Sequence, residues 1–85
     1  MKELLHYLTS QLVEHPLAVK VEQQGEENNQ RLLLSVDKSD LGKIIGKKGR
    51  TIKAIRTFLN AAGKERNIRA EVFITNSTQA EENPS

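Results

Sequence analysis

The chain has no cysteine and no tryptophan, and its aromatic residues are Tyr7, Phe58 and Phe73 alone. Without thiols there can be no disulfide framework and no thiolate zinc site, so packing must hold the fold, as in proteins of a reducing compartment. No apolar run approaches the roughly 20 residues that span a bilayer. The opening stretch KELLHYLTSQLV is amphipathic, unlike a secretory signal, which needs a charged segment and then an apolar run of about 7 to 15 residues. The expectation is a soluble, cytoplasmic protein with no membrane association. Catalytic patterns are missing as well. His6, His15, Asp37 and Asp40 are the candidate acid and base groups, but no H-E-x-x-H pair and no recognisable Ser-His-Asp pattern accompanies them. Neither an enzyme, a metal centre nor a cofactor is expected. With 85 residues there is room for one small domain.

What the chain does have is unevenly spread charge. Between Lys38 and Arg66 there are nine basic residues and two acidic ones, a local net charge of +7, while the remainder carries −5. Such a division in so short a chain suggests one surface facing a polyanion and an acidic remainder. Charge alone also permits a set of solvated helix faces.

Periodicity supplies an architecture. Leu4, Leu5, Leu8 and Leu12 recur at helical spacing, and His15-Pro16 ends that pattern. Leu17, Val19 and Val21 alternate with Ala18, Lys20 and Glu22, and Leu32, Leu34 and Val36 recur with the same period of two, which predicts two antiparallel strands joined by a loose polar loop, Gln24 to Gln30. Ser39 or Asp40 is placed to cap a short helix holding Leu41, Ile44 and Ile45. A longer helix follows Gly49, with Ile52, Ile55, Phe58, Leu59 and Ala62 on one face, Lys53, Arg56, Thr57 and Asn60 elsewhere, and Gly63 at its exit. Tyr7 and Phe58, lying in helical apolar stripes, read as core. A last strand alternates Ile68, Ala70, Val72 and Ile74 with Arg69, Glu71, Phe73 and Thr75, and residues 76–85 form a polar, disordered tail. The order helix, strand, strand, helix, helix, strand predicts an α+β domain over residues 1–75, with helices on one face of a three-stranded sheet. Leu33 and Phe73 then fall on the open face, as edge packing or as a contact between chains.

The stretch IIGKKGRTI, Ile44 to Ile52, sets two glycines and three cations between apolar residues. Glycine allows backbone conformations that a β-carbon penalises, the following helix offers its positive end, and Lys47, Lys48 and Arg50 add charge at the same place. A phosphate group is the natural guest. Two other phosphate motifs fail: a Walker A loop needs four residues between its glycines followed by Gly-Lys-Ser/Thr, and a dinucleotide fingerprint needs a G-x-G that the chain lacks.

These residues resemble the KH-domain signature I-I-G-x-x-G-x-x-I, and the helix-first order is similar to the type II, prokaryotic arrangement of that fold. The opening MKELLHYLTSQLVEHPLAVKVE and the length are similar to the small stand-alone bacterial KH proteins of the KhpA kind, and the resemblance covers about Met1 to Thr75. It implies binding of single-stranded RNA, about four nucleotides at a time. Gly46, Lys47, Lys48 and Gly49 would hold the backbone, Arg50 and Lys53 would be auxiliary phosphate contacts, and Ile44, Ile45 and Ile52 match the apolar positions of the signature. The resemblance further implies an RNA chaperone-like post-transcriptional regulator that forms a homodimer, or a heterodimer with a larger KH-containing protein of the Jag kind. With so few aromatics, sequence readout is expected to be loose and strongly salt-dependent. The competing reading is a protein-interaction module whose G-x-x-G loop is vestigial; the Lys-Lys pair in the loop speaks against it.

Overall fold

The computed structural model describes residues 1–76. Helix α1 (Lys2–Leu12) leads through a 3-10 turn at Pro16–Ala18 into strands β1 (Lys20–Glu26) and β2 (Asn29–Ser35). A 3-10 turn at Lys38–Asp40 opens helix α2 (Leu41–Ile45), a further turn at Lys47–Gly49 opens helix α3 (Arg50–Lys64), and β3 (Arg69–Ile74) closes the order. The sheet runs β1-β2-β3, with β1 antiparallel and β3 parallel to β2. A parallel neighbour cannot be reached by a tight turn, so α2 and α3 form the crossover that carries the chain from β2 to β3.

Alternation along the strands decides what is buried. Gln30, Leu32, Leu34 and Val36 point inward from β2 and its extension, and Ala70 and Val72 from β3, with Leu32 opposite Val72 in register. Leu5, Ile44, Ile52, Ile55 and Leu59 meet them from the three helices. Each fully buried aliphatic side chain contributes about 1.5 to 3 kcal/mol, and this one cluster supplies the core. On the other face Leu33 stands between Glu22 and Phe73.

Four local expectations change. The polar stretch 24–30 forms no loose loop: β1 and β2 pair out to Glu26 and Asn29, leaving a two-residue turn at Glu27 and Asn28. Gly25, at φ +90°, permits this, because a β-carbon there would sit 2.6 Å from the Asn29 carbonyl oxygen. The first strand begins at Lys20 rather than Leu17, which lies in the Pro16 turn and is 99% exposed. Tyr7 and Phe58 are exposed, not core, because Leu5 and Thr9 centre the buried line of α1, and Ile52, Ile55 and Leu59 that of α3. Asn76, assigned to the tail, is buried, and its amide accepts from Val36 N at 3.0 Å and donates to Val36 O at 2.7 Å. That pair continues the sheet by one side chain. The rest of the expected tail, 77–85, lies outside the described residues.

The capping assignment changes with wider consequence. Asp37 is the side chain that caps the Lys38–Asp40 turn, accepting from Ser39 N at 3.0 Å. The hydroxyl and amide of Ser39 hold the Asp37 carboxyl below its ordinary range, helped slightly by nearby His15. Asp40 makes no cap bond and is 1% exposed. Its two oxygens accept from Glu14 N at 3.1 Å and His15 N at 3.0 Å, fastening the end of α1 to the start of α2. Replacing Asp40 by alanine strands those two N–H groups, and is expected to cost about 2 kcal/mol. In a domain of this size that lowers the melting temperature by on the order of 10 °C. Thermal unfolding followed by circular dichroism measures it, and an unchanged midpoint would refute the role given to this carboxylate.

Candidate nucleic-acid interface

Helix α2 stops at Gly46, which adopts φ +78° and ψ 171°. Gly46 N donates to Gly42 O at 2.8 Å, and Gly49 N closes a turn on Gly46 O at 3.1 Å. Within that turn Lys48 (φ +56°) and Gly49 (φ +74°) are both left-handed. A lysine in this region is uncommon and costs about 1 kcal/mol or more. Such strain is kept where the surrounding structure dictates it. The constraint is visible at Gly46: a β-carbon there would lie 2.6 Å from Thr51 Cβ and 2.7 Å from Thr51 N. The loop therefore folds back onto the first turn of α3.

No side chain caps α3 at Gly49, and the positive end of the helix dipole there favours an anion. Lys47, Lys48, Arg50 and Lys53 surround this point and are all exposed. Among the described residues the ion pairs are those of Lys43, with Glu14 at 2.8 Å and Asp40 at 3.9 Å, so none of the loop cations is neutralised there.

The apolar positions divide. Ile44 is fully buried and Ile52 is 7% exposed, both within the core, so neither has surface to offer a ligand. From the core they anchor the two helices that hold the loop. Ile45 is 37% exposed beside Gly46 and alone of the three meets solvent.

A groove lies between α3 and the free edge of β3. One stretch, about 410 Å³, is lined by Asn60, Lys64, Ile68, Arg69, Ala70 and Glu71. A second, about 260 Å³, shares Asn60, Ala70 and Glu71 and adds Arg56, Val72 and Phe73. Arg69 N donates to Asn28 O and Thr75 N to Leu34 O. By strand alternation the backbone groups of Ala70, Val72 and Ile74 therefore face the free edge. Arg56 Nη2 donates to one of them, Val72 O, at 3.1 Å. Sequence reading placed Arg56 and Asn60 only as residues off the apolar face. Their spacing with Lys53, at intervals of three and four, was the signal that they share one side of the helix.

Of the candidate catalytic groups, His15, Asp37 and Asp40 come within 4.8 Å of one another. The two carboxylates are engaged with Ser39 and with the backbone of Glu14 and His15. The cluster is thus a structural tie between α1 and α2. His6 is exposed on α1 and takes no part in it.

A G-x-x-G turn between two helices, in a helix-first α+β domain with a mixed three-stranded sheet, defines a KH domain. The model of the KhpA/KhpB KH domain matches residues 2–74, and the chain belongs to that family. A protein named RNA-binding protein KhpA from Chlamydia pneumoniae is 45% identical over 74 residues, spanning 87% of this chain and 95% of its own. The protein of the same name from Bacillus subtilis is 41% identical over 75 residues, spanning 86% and 93%. That from Listeria monocytogenes is 39% identical over 75 residues, spanning 86% and 99%. Among the described residues no helix is long and apolar enough to cross a membrane.

The two loop glycines differ in what they demand. Gly49 has open space around a β-carbon position, so Gly49→Ala meets only backbone strain of about 1 kcal/mol, whereas Gly46→Ala also drives a methyl into Thr51. Melting curves are expected to rank Gly46→Ala as clearly the more damaging. Equal midpoints would show that the loop does not pack on α3 as described.

Proposed function

We propose that this protein binds single-stranded RNA, gripping about four nucleotides in the groove beside the GKKG loop, and acts in the cytoplasm as an RNA chaperone-like post-transcriptional regulator. The observation that carries the reading is the set of exposed cations, Lys47, Lys48, Arg50 and Lys53, placed without acidic partners among the described residues at a glycine-bracketed helix entry. Gly46, Lys47, Lys48 and Gly49 bring backbone and ammonium groups to the sugar-phosphate chain, and Arg50 and Lys53 follow it onto α3. Ile45 gives the bases an apolar rest at the loop. The names of the relatives, RNA-binding proteins, support the same reading. No catalytic step is involved.

A single module holding so few nucleotides binds weakly, and pairing two modules raises avidity through effective concentration. We infer that the chain works as a homodimer, or as a heterodimer with a larger KH-containing protein of the Jag kind. The surface that favours this is an apolar groove of about 460 Å³ between α1 and α3, lined by Leu8, Leu12, Ala54, Ile55 and Phe58 and closed at one end by Arg50 and Thr51. Leu12 and Phe58 stand 45% and 51% exposed on it. Leu33 and Phe73, first considered for such a contact, make only a narrow apolar strip between Glu22 and the sheet edge.

Fluorescence anisotropy with a short labelled single-stranded RNA tests the first part. Lys47→Asp/Lys48→Asp is expected to fold normally, to lose most binding, and to flatten the salt dependence by about 1.4 in logarithmic slope. Equal binding by the variant and the native chain would show that the loop is not the site, and binding by neither would leave the protein-interaction reading in its place. For the second part, Phe58→Glu is expected to shift the mass measured by light scattering from dimer to monomer while leaving the melting temperature within a few degrees. A native chain that is monomeric at all concentrations and indifferent to a Jag-type protein would refute it.

A further inference from the structure

The cations of the GKKG loop have no acid beside them among the described residues, and an acidic segment follows the matched domain. The family model stops at residue 74. Past Asn76, the segment Ser77 to Ser85 holds Glu81 and Glu82, no basic residue, and only Ala80 and Pro84 as apolar ones. Such a composition offers charge rather than apolar surface with which to engage a neighbour.

The fold fixes where that segment starts. Asn76 is buried and tied to Val36 by two hydrogen bonds, at 3.0 and 2.7 Å. Val36 directly follows the end of β2, and α2 leads from there to the loop. Helix α3 then runs back along the sheet, because it ends at Lys64 and β3 begins at Arg69, beside Asn29, the first residue of β2. The loop and the first turn of α3 therefore lie at the end of the sheet where β2 and β3 finish. Asn76 leaves from that same end. Five residues of α2 span about 7.5 Å, whereas the extended chain from Asn76 covers about 17 Å to Glu81 and about 20 Å to Glu82. Reach is sufficient.

Charge decides what the glutamates meet there. Glu14 and Asp40 are already engaged with Lys43, and Asp37 with Ser39. Lys47, Lys48, Arg50 and Lys53, with Lys38 at the turn before α2, are exposed and have no acid among the described residues. A short tether holds two charges at an effective concentration of about a millimolar, which favours ion pairs that separate molecules would not keep.

We propose that the segment 77–85 is an internal competitor for the loop: Glu81 and Glu82 pair with its cations when no strand is bound, and a bound strand displaces them. This deepens, and rests on, the single-stranded RNA reading above. The segment then weakens capture of any anion at the loop by one common factor, and that factor fades as salt screens the pairs.

Two measurements test it. In anisotropy titrations with a short labelled RNA, full-length Glu81→Gln/Glu82→Gln is expected to bind about fivefold more tightly than the native chain at low salt, the effect of two exposed ion pairs released, and equally at high salt. The second needs no RNA. The chain has no cysteine, so a nitroxide on Ser85→Cys is the sole label. At low salt it is expected to broaden the amide signals of Gly46 to Lys53, and to leave those of Glu27 and Asn28, at the far end of the sheet, sharp. Adding the two glutamine substitutions should restore the loop signals. Broadening that survives those substitutions comes from tethering alone and refutes the pairing, as does a loop that stays sharp throughout. Equal low-salt affinities of native and variant chains overturn the competition while the RNA reading stands. A native chain and a variant that both leave the anisotropy unchanged overturn the RNA reading and the competition together.

Discussion

The buried carboxylate of Asp40 is the interaction on which the positioning of the loop depends. It reaches back across 25 and 26 residues to two backbone N–H groups at the end of α1. Both of its oxygens are used, so the charge taken out of water is met by donors rather than left bare. Helix α2 has only five residues, too few to be stable alone. It is fixed at its start by Asp40 and through its middle by Ile44 in the core, which leaves the next residues, Ile45 and Gly46, in a defined place. A loop that must fold tightly against Thr51 can be built only from an approach that is already fixed.

The loop then works through what it lacks. It has no β-carbon at Gly46 or Gly49, no side-chain cap at the entry to α3, and among the described residues no acid to pair with its lysines. Each lack leaves an interaction open. Placing several like charges together and a lysine at positive φ both destabilise the folded chain. A core of eleven buried hydrophobic side chains among the described residues offsets that destabilisation, and a bound polyanion would relieve the charge repulsion.

The sequence made much of this legible because most core-facing positions of its strands and helices obey their periods. Leu32, Leu34, Val36, Ala70 and Val72 were assigned inward, and are buried. The helix order and the G-x-x-G turn were equally plain, since both rest on local residues. What escaped was whatever depends on residues far apart. Asp40 read as a cap because local spacing cannot show a partner 25 residues earlier. Asn76 read as tail because its partner, Val36, lies 40 positions away. Phe58 read as core because it lies three residues after Ile55, about 60° from it on the helical wheel, yet the buried stripe of α3 is narrow and the phenyl ring falls off it. The turn at Glu27 and Asn28 was hidden by composition: a strand on the sheet edge, exposed on both sides near its end, carries the same polar residues as a loop.

Helix α3 carries the consequences of that narrow stripe. Ile52, Ile55 and Leu59 occupy the core, Ala54 and Phe58 look toward α1, and Lys53, Arg56 and Asn60 look toward the edge of β3. Three surfaces on one 15-residue cylinder cannot be moved independently. A chain seated in the α1–α3 groove would touch Arg50 and Thr51 at its end, and Thr51 is the residue against which Gly46 is packed. The loop and the proposed association surface therefore meet at one helical turn. Coupling between two sites needs an element that both bias, and the first turn of α3 is the one element that the loop and the α1–α3 groove both touch.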